Sequence, residues 1–237
     1  MSTEKVHALI PAAGTGTRYG GAVLKQYLPI CGRSVLAHSI SLFQFHPSIT
    51  GITVVLAEND QWFESAVGTL SAAVETVTGG STRSHSVRNG LRSIVENHPD
   101  VEWALVHDAA RPCLSRRKLD SLLEKGLRSP DGAIMAMPVS DTLKRSGGAH
   151  DITGTVDRRG LWAAQTPQLF RVGALAEAID AAHRQGVELT DEASAMEFIG
   201  ASPKLVMGSV ANIKITHSSD LAIAEALMKR SEQSSGV

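Results

Sequence analysis

The sequence predicts an α/β domain built on a doubly wound, mostly parallel β-sheet, with a protruding β-hairpin arm. Apolar strand-like runs alternate with helical patterns along most of the 237 residues, which is the order expected when helical crossovers join parallel strands and cover both faces of a sheet. A glycine-rich segment directly follows the first apolar run, and one polar stretch, residues 139–160, interrupts the alternation. We expect a single domain over residues 1–230 and a flexible polar tail over 231–237.

The elements of the domain are predicted from apolar runs and helical periodicity. The predicted strands cover residues 6–10, 52–56, 74–77, 104–107 and 133–137, and the predicted helices cover 36–45, 61–70, 83–97 and 118–128. In the third helix Val87, Leu91, Ile94 and Val95 form one apolar stripe. Because ligands bind at the carboxyl ends of the strands in such sheets, the loops at 11–16, 78–81, 108–111 and 138–142 should share one edge.

The stretch 139–160 is predicted to be a β-hairpin arm. Its two polar segments, 141–145 and 152–158, are joined through Gly147 and Gly148, which suits a hairpin turn. Because it has few apolar residues to bury, we expect it to pack against a second subunit; a mobile surface loop is the alternative. Helices at 172–185 and 191–199, a strand pair around 204–215 and a last helix at 220–230 should follow.

Composition excludes several classes of protein. The net charge of −1 and the pI near 6.8 provide no basic surface for nucleic acid or an anionic membrane. Cys31 and Cys113 cannot form a disulfide scaffold, and the nine scattered histidines do not have zinc-site spacing. The first residues lack a signal or transit character, and no apolar run approaches about 20 residues. We expect a cytoplasmic protein.

The glycine-rich segment after the first strand is predicted to bind phosphate. Gly14 and Gly16 let backbone N–H groups approach an anion, and Arg18 and Lys25 add positive charge. Tyr19 stands where both a dinucleotide fingerprint and a P-loop require glycine. A triphosphate fits this pattern, whereas a glycine-rich β-to-α connection with two surface cations is the alternative.

A second polar cluster opens the third predicted helix, at residues 79–88. Gly79 and Gly80 precede the free N–H groups of the helix start, which suits a base edge or a phosphate. The alternative is helix capping by Ser81 or Thr82, which accounts for one hydroxyl but not for the double glycine.

Two further charged residues, Asp108 and Lys214, are predicted to lie at the same edge of the sheet, where the strands end. Asp108 follows the fourth strand, where it could hold a ribose hydroxyl or a nucleotide-bound Mg²⁺, cap the next turn or pair with Arg111. Lys214 alternates with Ile213 and Ile215 in a predicted strand, so it points into the cleft or snorkels to solvent. Thr190 reads as a helix N-cap that needs no ligand.

Taken together, these segments resemble the 2-C-methyl-D-erythritol 4-phosphate cytidylyltransferase family over nearly the whole chain. The resemblance lies in residues 11–18, 25–28, 79–80 with Arg83 and 86–87, 106–112, 141–144, 155–158, 165–168, 190–194 and 212–214. It departs from the family pattern at Leu24, where proline is usual, and at Ser81 and Ala211, where acids are common.

The resemblance implies a Rossmann-like nucleotidyltransferase fold, a homodimer built through the arm, and transfer of a cytidylyl group from CTP to 2-C-methyl-D-erythritol 4-phosphate with Mg²⁺ or another divalent cation. It implies catalytic roles for Arg18, Lys25, Arg158 and Lys214. The implied nucleotide-binding residues are Ala12, Ala13, Gly14, Thr15, Gly16, Gly80, Ser81, Arg83, Ser86, Asp108, Ala109 and Arg111. The implied substrate-binding residues are Thr142, Arg158, Thr166, Thr190 and Lys214, with Asp108 also near the metal and with Thr142 and Arg158 supplied by the partner subunit.

Three other functions compete with this interpretation. A related enzyme could use another polyol phosphate such as D-ribitol 5-phosphate, although the arm and the segment 155–158 favour methylerythritol phosphate. A non-catalytic nucleotide sensor would have no use for Arg18, Lys25, Arg158 and Lys214 together. An NAD-dependent oxidoreductase is excluded by the glycine spacing and by the missing acid about 20 residues beyond the loop.

Overall fold

A computed structural model describes residues 4–14, 23–68, 74–148 and 150–235. Its strands are β1 (Val6–Pro11), β2 (Pro29–Ile30), β3 (Arg33–Ser34), β4 (Ile49–Leu56), β5 (Val74–Thr78), β6 (Trp103–Val106), β7 (Ala133–Pro138), β8 (Leu143–Ser146), β9 (Ile152–Val156), β10 (Trp162–Arg171) and β11 (Lys204–Met207). Its helices are α1 (Val35–Gln44), α2 (Phe63–Val67), α3 (Arg83–Asn97), α4 (Arg116–Gly126), α5 (Val172–Arg184), α6 (Glu192–Phe198) and α7 (Ser218–Ser235), and a 3₁₀ turn covers Lys25–Tyr27.

Seven strands form the central sheet, in the order β11-β7-β10-β6-β1-β4-β5. The pairs β1–β4, β1–β6, β4–β5 and β7–β11 are parallel, whereas β10 runs antiparallel between β6 and β7. The prediction of a mostly parallel sheet is therefore confirmed.

Strand β10 was not predicted from the sequence, and neither were the two-residue strands β2 and β3. Polar residues and Pro167 interrupt the apolar pattern of β10, and proline has no N–H for the strand ladder. The structure accommodates this interruption with a register shift between Gln165 and Gln168 against β7. No element was predicted between the hairpin and the helix at 172–185, because the strand is regular only on either side of that shift.

Helices cover both faces of the sheet, as a doubly wound fold requires. Along β1, Val6, Ala8 and Ile10 enter the apolar cluster that contains α1 and α4, whereas Leu9 enters the cluster that contains α3 and α5. This alternation follows from the two-residue repeat of a strand, and all four side chains are completely buried.

Helix and strand boundaries differ from the predictions at several points. The predicted strand pair around 204–215 is wrong: only β11 forms, and the chain from 208 to 217 is irregular. Helix α2 is shorter than predicted, and residues 69–70 of that prediction lie outside the described residues. Helix α7 extends to Ser235, past the predicted end at 230; the flexibility of 231–237 stays a prediction.

The predicted hairpin segments form β8 and β9, an antiparallel pair that makes a sheet of its own. Most residues of both strands are exposed in the single chain. Among the described residues no helix is long and apolar enough to cross a membrane.

Candidate active site

A cavity of about 350 Å³ lies at the carboxyl ends of β1, β5 and β6, where the strand order predicts it. Most of the predicted nucleotide-binding residues line this cavity, and so do two predicted catalytic lysines. These are Ala12, Ala13, Gly14, Gly80, Ser81, Arg83, Ser86, Asp108, Ala109, Lys25 and Lys214. Segments that are far apart in the sequence thus converge on a single site.

The remaining predicted residues lie elsewhere or are not described. Arg111 and Thr166 are buried beneath the cavity and do not line it. Thr190, Thr142 and Arg158 are exposed, the last two at the base of the hairpin, before β8 and after β9. Thr15, Gly16 and Arg18 lie outside the described residues, so the phosphate loop is seen only as far as Gly14.

Asp108 is the centre of a charged cluster in the cavity. Its carboxylate lies 2.9 Å from Lys214 Nζ, 3.1 Å from Arg83 Nη2 and 3.3 Å from Arg111 Nε. Burial by itself would raise the pKa of Asp108, but these three cations outweigh burial and hold the pKa well below its usual range. Asp108 is therefore ionised at neutral pH.

Arg83 joins this cluster to Glu192 of α6, a residue for which the sequence predicted no functional role. Arg83 Nη1 donates to Glu192 Oε1 at 2.6 Å and Nη2 donates to Oε2 at 3.2 Å, a bidentate pair in which Glu192 is only 2% exposed. Burial lowers the pKa of Arg83, but the charges of Glu192 and Asp108 raise it by more than burial lowers it. The guanidinium therefore stays charged. An acid in the first turn of a helix suggested only dipole stabilisation, so no sequence signal pointed to this pair.

Arg111 and Thr166 are buried residues that hold the backbone of two cavity-lining segments in place. Arg111 Nη1 donates to the Asn212 carbonyl at 2.7 Å, which fixes the segment that carries Lys214. The Asp108 N–H donates to Thr166 Oγ1 at 2.9 Å. Both residues therefore position cavity-lining groups in the single chain.

His107 completes this layer as a neutral imidazole. Its Nδ1 lies 3.2 Å from the Thr166 hydroxyl and its Nε2 lies 3.0 Å from the Arg111 carbonyl. Burial lowers the pKa of His107 to about 4. A neutral ring that accepts from Thr166 and donates to the carbonyl satisfies both contacts.

The two glycines before α3 have a packing role. A Cβ on Gly79 would lie 2.6 Å from Ala13 Cβ and 2.8 Å from Ser86 Oγ, and one on Gly80 would lie 2.4 Å from His85 Cβ. Thr82, not Ser81, is the N-cap of α3, and its hydroxyl accepts from the His85 N–H. Gly79 therefore allows close packing against the loop that follows β1, and Gly80 allows close packing against the first turn of α3.

Lys214 reaches the cavity from an irregular segment rather than from the predicted strand. Ile215 is fully buried and its N–H donates to the Ala110 carbonyl at 2.9 Å. This contact, together with that of Arg111 to Asn212, attaches the segment beside the end of β6. The expected direction into the cleft is confirmed, although the expected strand is wrong.

The predicted helix cap at Thr190 is wrong by one residue. Asp191 is the N-cap of α6, where it forms a capping box with Ser194. Its Oδ2 also accepts from Gln168 Nε2 at 2.9 Å, and the Gln168 Oε1 accepts from the Ala193 N–H. The Asp191 carboxylate is held by Gln168 as well as by the Ser194 N–H, so it takes the cap position rather than the neighbouring threonine hydroxyl.

The cavity offers limited ligands for a metal ion. Within the described parts of the chain, no group of three or more His, Cys, Asp or Glu side chains is arranged to hold a metal. Asp108 is the carboxylate among the lining residues. One carboxylate suits a Mg²⁺ ion that takes its remaining ligands from phosphates and water.

Comparisons with known proteins agree with this geometry. The family model described as 2-C-methyl-D-erythritol 4-phosphate cytidylyltransferase (IspD) matches residues 6–230. The protein with that name from Dechloromonas aromatica is 44% identical to this chain, over 94% of this chain and 97% of its own length. The one from Shewanella oneidensis is 45% identical, over 97% of this chain and 91% of its own length.

A solved structure shows the same fold. The crystal structure of a 4-diphosphocytidyl-2C-methyl-D-erythritol synthase has a TM-score of 0.84 and 40% identity, over 96% of this chain and 100% of that one. The resemblance deduced from the motifs is thereby confirmed. The chain belongs to the 2-C-methyl-D-erythritol 4-phosphate cytidylyltransferase family.

Proposed function

We propose that this protein transfers a cytidylyl group from CTP to 2-C-methyl-D-erythritol 4-phosphate, with 4-diphosphocytidyl-2-C-methyl-D-erythritol and pyrophosphate as products. Family membership makes the chain a nucleotidyltransferase of isoprenoid biosynthesis. The observation that carries the proposal for this site is the convergence of Lys25, Lys214 and the start of the glycine-rich loop on one cavity.

The reaction is an in-line attack of a substrate phosphate oxygen on the α-phosphorus of CTP. A new P–O bond forms while the bond from the α-phosphorus to the bridging oxygen breaks, and pyrophosphate leaves with that electron pair. The nucleophile is already an anion, so no protein base is needed. Catalysis then depends on holding two anions in line and neutralising their charge.

The cavity supplies these two requirements from different segments. Lys25 and Arg18 would grip the triphosphate on the loop at 14–16, and Lys214 would hold the methylerythritol phosphate. Ala12, Ala13, Gly80 and Ser86 would read the cytosine, and Asp108 and Ala109 would face the ribose. A divalent cation bound to the CTP phosphates would take Asp108 as its protein ligand, directly or through water.

The hairpin is the proposed dimerisation arm, and its Arg158 and Thr142 would complete the partner's site. Two features support this: both residues are exposed in the single chain, and Ile152 at the start of β9 is 66% exposed. An apolar side chain on an exposed hairpin is stabilised when another surface covers it. We further propose that the protein works in the cytoplasm.

Pyrophosphate release from CTP tests the proposal directly. The purified protein is incubated with CTP, Mg²⁺ and either 2-C-methyl-D-erythritol 4-phosphate or D-ribitol 5-phosphate, with a no-metal control. Turnover with the first acceptor only, dependent on the metal, is the expected result. Preference for ribitol phosphate, or no turnover with either acceptor, would overturn the assignment.

A further inference from the structure

Gln26 is a buried amide directly beside a lysine of the proposed active site. Its side chain is 3% exposed, and glutamine is rarely buried without a specific role for its polar groups. The amide Nε2 donates to the Ala12 carbonyl at 2.8 Å and to the Gly14 carbonyl at 3.2 Å. Both acceptors belong to the chain that leaves β1 and enters the glycine-rich loop.

These contacts connect two segments of the cavity wall. The Ala12 N–H is bound to the Val55 carbonyl at 2.8 Å, so the backbone of Ala12 is fixed to the sheet by its N–H and to Gln26 by its carbonyl. Because the peptide bond is planar, fixing that carbonyl also sets the orientation of the Ala13 N–H. Gln26 thereby sets the direction in which the chain leaves β1.

The same contacts set the position of Lys25. Lys25 and Gln26 are consecutive residues of the 3₁₀ turn Lys25–Tyr27, in which successive side chains point in different directions. Both residues line the cavity, and the Gln26 amide is directed to the loop backbone. The other end of the turn is held by the Tyr27 hydroxyl, which donates to Asp60 Oδ2 at 2.6 Å.

We propose that Gln26 is a positioning residue that holds Lys25 in register with the start of the glycine-rich loop. This inference rests on the proposed function and on the role of Lys25 in it. The amide Nε2 of Gln26 is bound to two backbone carbonyls, so its proposed role is to keep a cation at a fixed place relative to the backbone that would hold the triphosphate. A lysine has a long flexible side chain, so the position of its backbone limits how well its ammonium is placed.

The first test compares Gln26→Leu with wild type in pyrophosphate release from CTP and 2-C-methyl-D-erythritol 4-phosphate. Leucine is similar in size to glutamine but apolar, so it fills the space and removes the donor. We expect kcat to fall at least about tenfold, since a misplaced group costs catalysis more than binding, with less than a twofold change in KM for the acceptor. An unchanged kcat in an active preparation would overturn the proposal; an inactive wild type would instead overturn the function.

Thr53→Val serves as the stability control. The Thr53 hydroxyl lies 2.9 Å from His7 Nε2, a buried side-chain hydrogen bond in the middle of the same sheet and away from the cavity. Thr53→Val should lower the melting temperature about as much as Gln26→Leu does, while leaving kcat within twofold of wild type. An equal loss of kcat in both variants would mean that Gln26 acts only through stability.

Two further variants show whether Gln26 acts through Lys25. In a Lys25→Ala background, adding Gln26→Leu should cost less than threefold, whereas independent action would repeat the full loss and overturn the proposal. Gln26→Glu places a carboxylate against two carbonyl oxygens and can regain a donor only when protonated. Its kcat relative to wild type should rise as the pH falls from 8 to 6, and a flat ratio would count against the hydrogen bonds as the cause.

Discussion

Lys214 Nζ lies 2.9 Å from Asp108 Oδ2, although the two residues come from opposite halves of the chain. Arg83 and Arg111 contact the same carboxylate, and Glu192 balances Arg83 from the other side. The three cations outnumber the two carboxylates by one, so the cluster keeps a positive charge. The cavity is therefore fixed by ion pairs before any ligand arrives and still attracts an anion.

Lys25→Ala is expected to lower kcat at least about a hundredfold, because removal of a preorganised group that faces developing charge typically costs that much. The melting temperature should stay near that of wild type, since Lys25 is only half-buried. Steady-state pyrophosphate release measures the first quantity and thermal unfolding the second. Lys125→Ala, an exposed lysine on α4, is the control and should retain full activity; near-normal kcat in Lys25→Ala would reject its assigned role.

Arg158→Ala and Lys25→Ala should complement each other if the arm completes the partner's site. Mixed dimers would then contain one site with Lys25 from one chain and Arg158 from the other, and one site that lacks both. Lys25→Ala lowers kcat and Arg158→Ala mainly weakens binding of the methylerythritol phosphate, so both variants are impaired when the acceptor is below saturation. Refolding the two variants together should then restore activity up to about half of wild type per mixed dimer. Absence of recovery in verified mixed dimers would show that Arg158 does not act across the interface.

Glu192→Gln is expected to destabilise the fold by about 3 kcal/mol, since it leaves the Arg83 guanidinium with one carboxylate in a buried site. The exposed pair of Arg92 and Glu96 on α3 provides the comparison. There Glu96→Gln should cost less than about 0.5 kcal/mol. Urea unfolding at neutral pH measures both, and equal losses in the two variants would contradict a structural role for the Glu192 ion pair.

Gly79→Ala should both destabilise the protein and weaken CTP binding. The added methyl would meet Ala13 Cβ and Ser86 Oγ at less than 3 Å, an overpacking that typically costs about 1–3 kcal/mol. Because Ala13 and Ser86 line the cavity, KM for CTP should rise. Gly173 in α5 has no atom within 4 Å of the corresponding position, so Gly173→Ala should leave KM unchanged.

The stability of the protein should fall as the pH decreases from 7 to 5. Burial lowers the pKa of His107, and burial with the neighbouring His98 lowers that of His7, each from 6.5 to about 4. Between pH 7 and pH 5 these two histidines take up protons in the unfolded chain but stay neutral in the folded protein. Protonation therefore favours unfolding. Each histidine should contribute a loss of about 2 kcal/mol at pH 5.

Urea unfolding at constant ionic strength measures this pH dependence. The carboxylate of Asp108 does not interfere, because its pKa is already low when folded and its contribution is lost only below the ordinary pKa of aspartate. Equal free energies of unfolding at pH 7 and pH 5 would contradict the neutral state of the two buried histidines.

Much of the fold and of the candidate site followed from local sequence patterns. Parallel strands such as β1 and β4 are buried on both sides and appear as continuous apolar runs, and α3 showed its apolar stripe directly. The site was predictable because the carboxyl ends of parallel strands meet at one edge, which placed Gly14, Gly80 and Asp108 together. Several features were not predicted from the sequence. One is β10, whose interior is interrupted by Pro167, and another is the irregular course of the segment that carries Lys214.

By itself, the sequence determined the fold class, the edge that holds the site and the family, because these depend on periodicity and on short motifs in a fixed order. Only the tertiary structure decided which polar groups neutralise and position one another. Glu192 pairs with Arg83, Arg111 fixes the Asn212 backbone, and Gln26 binds two carbonyls after β1. Such pairs are set by distances of about 3 Å between remote segments, and no local pattern encodes those distances.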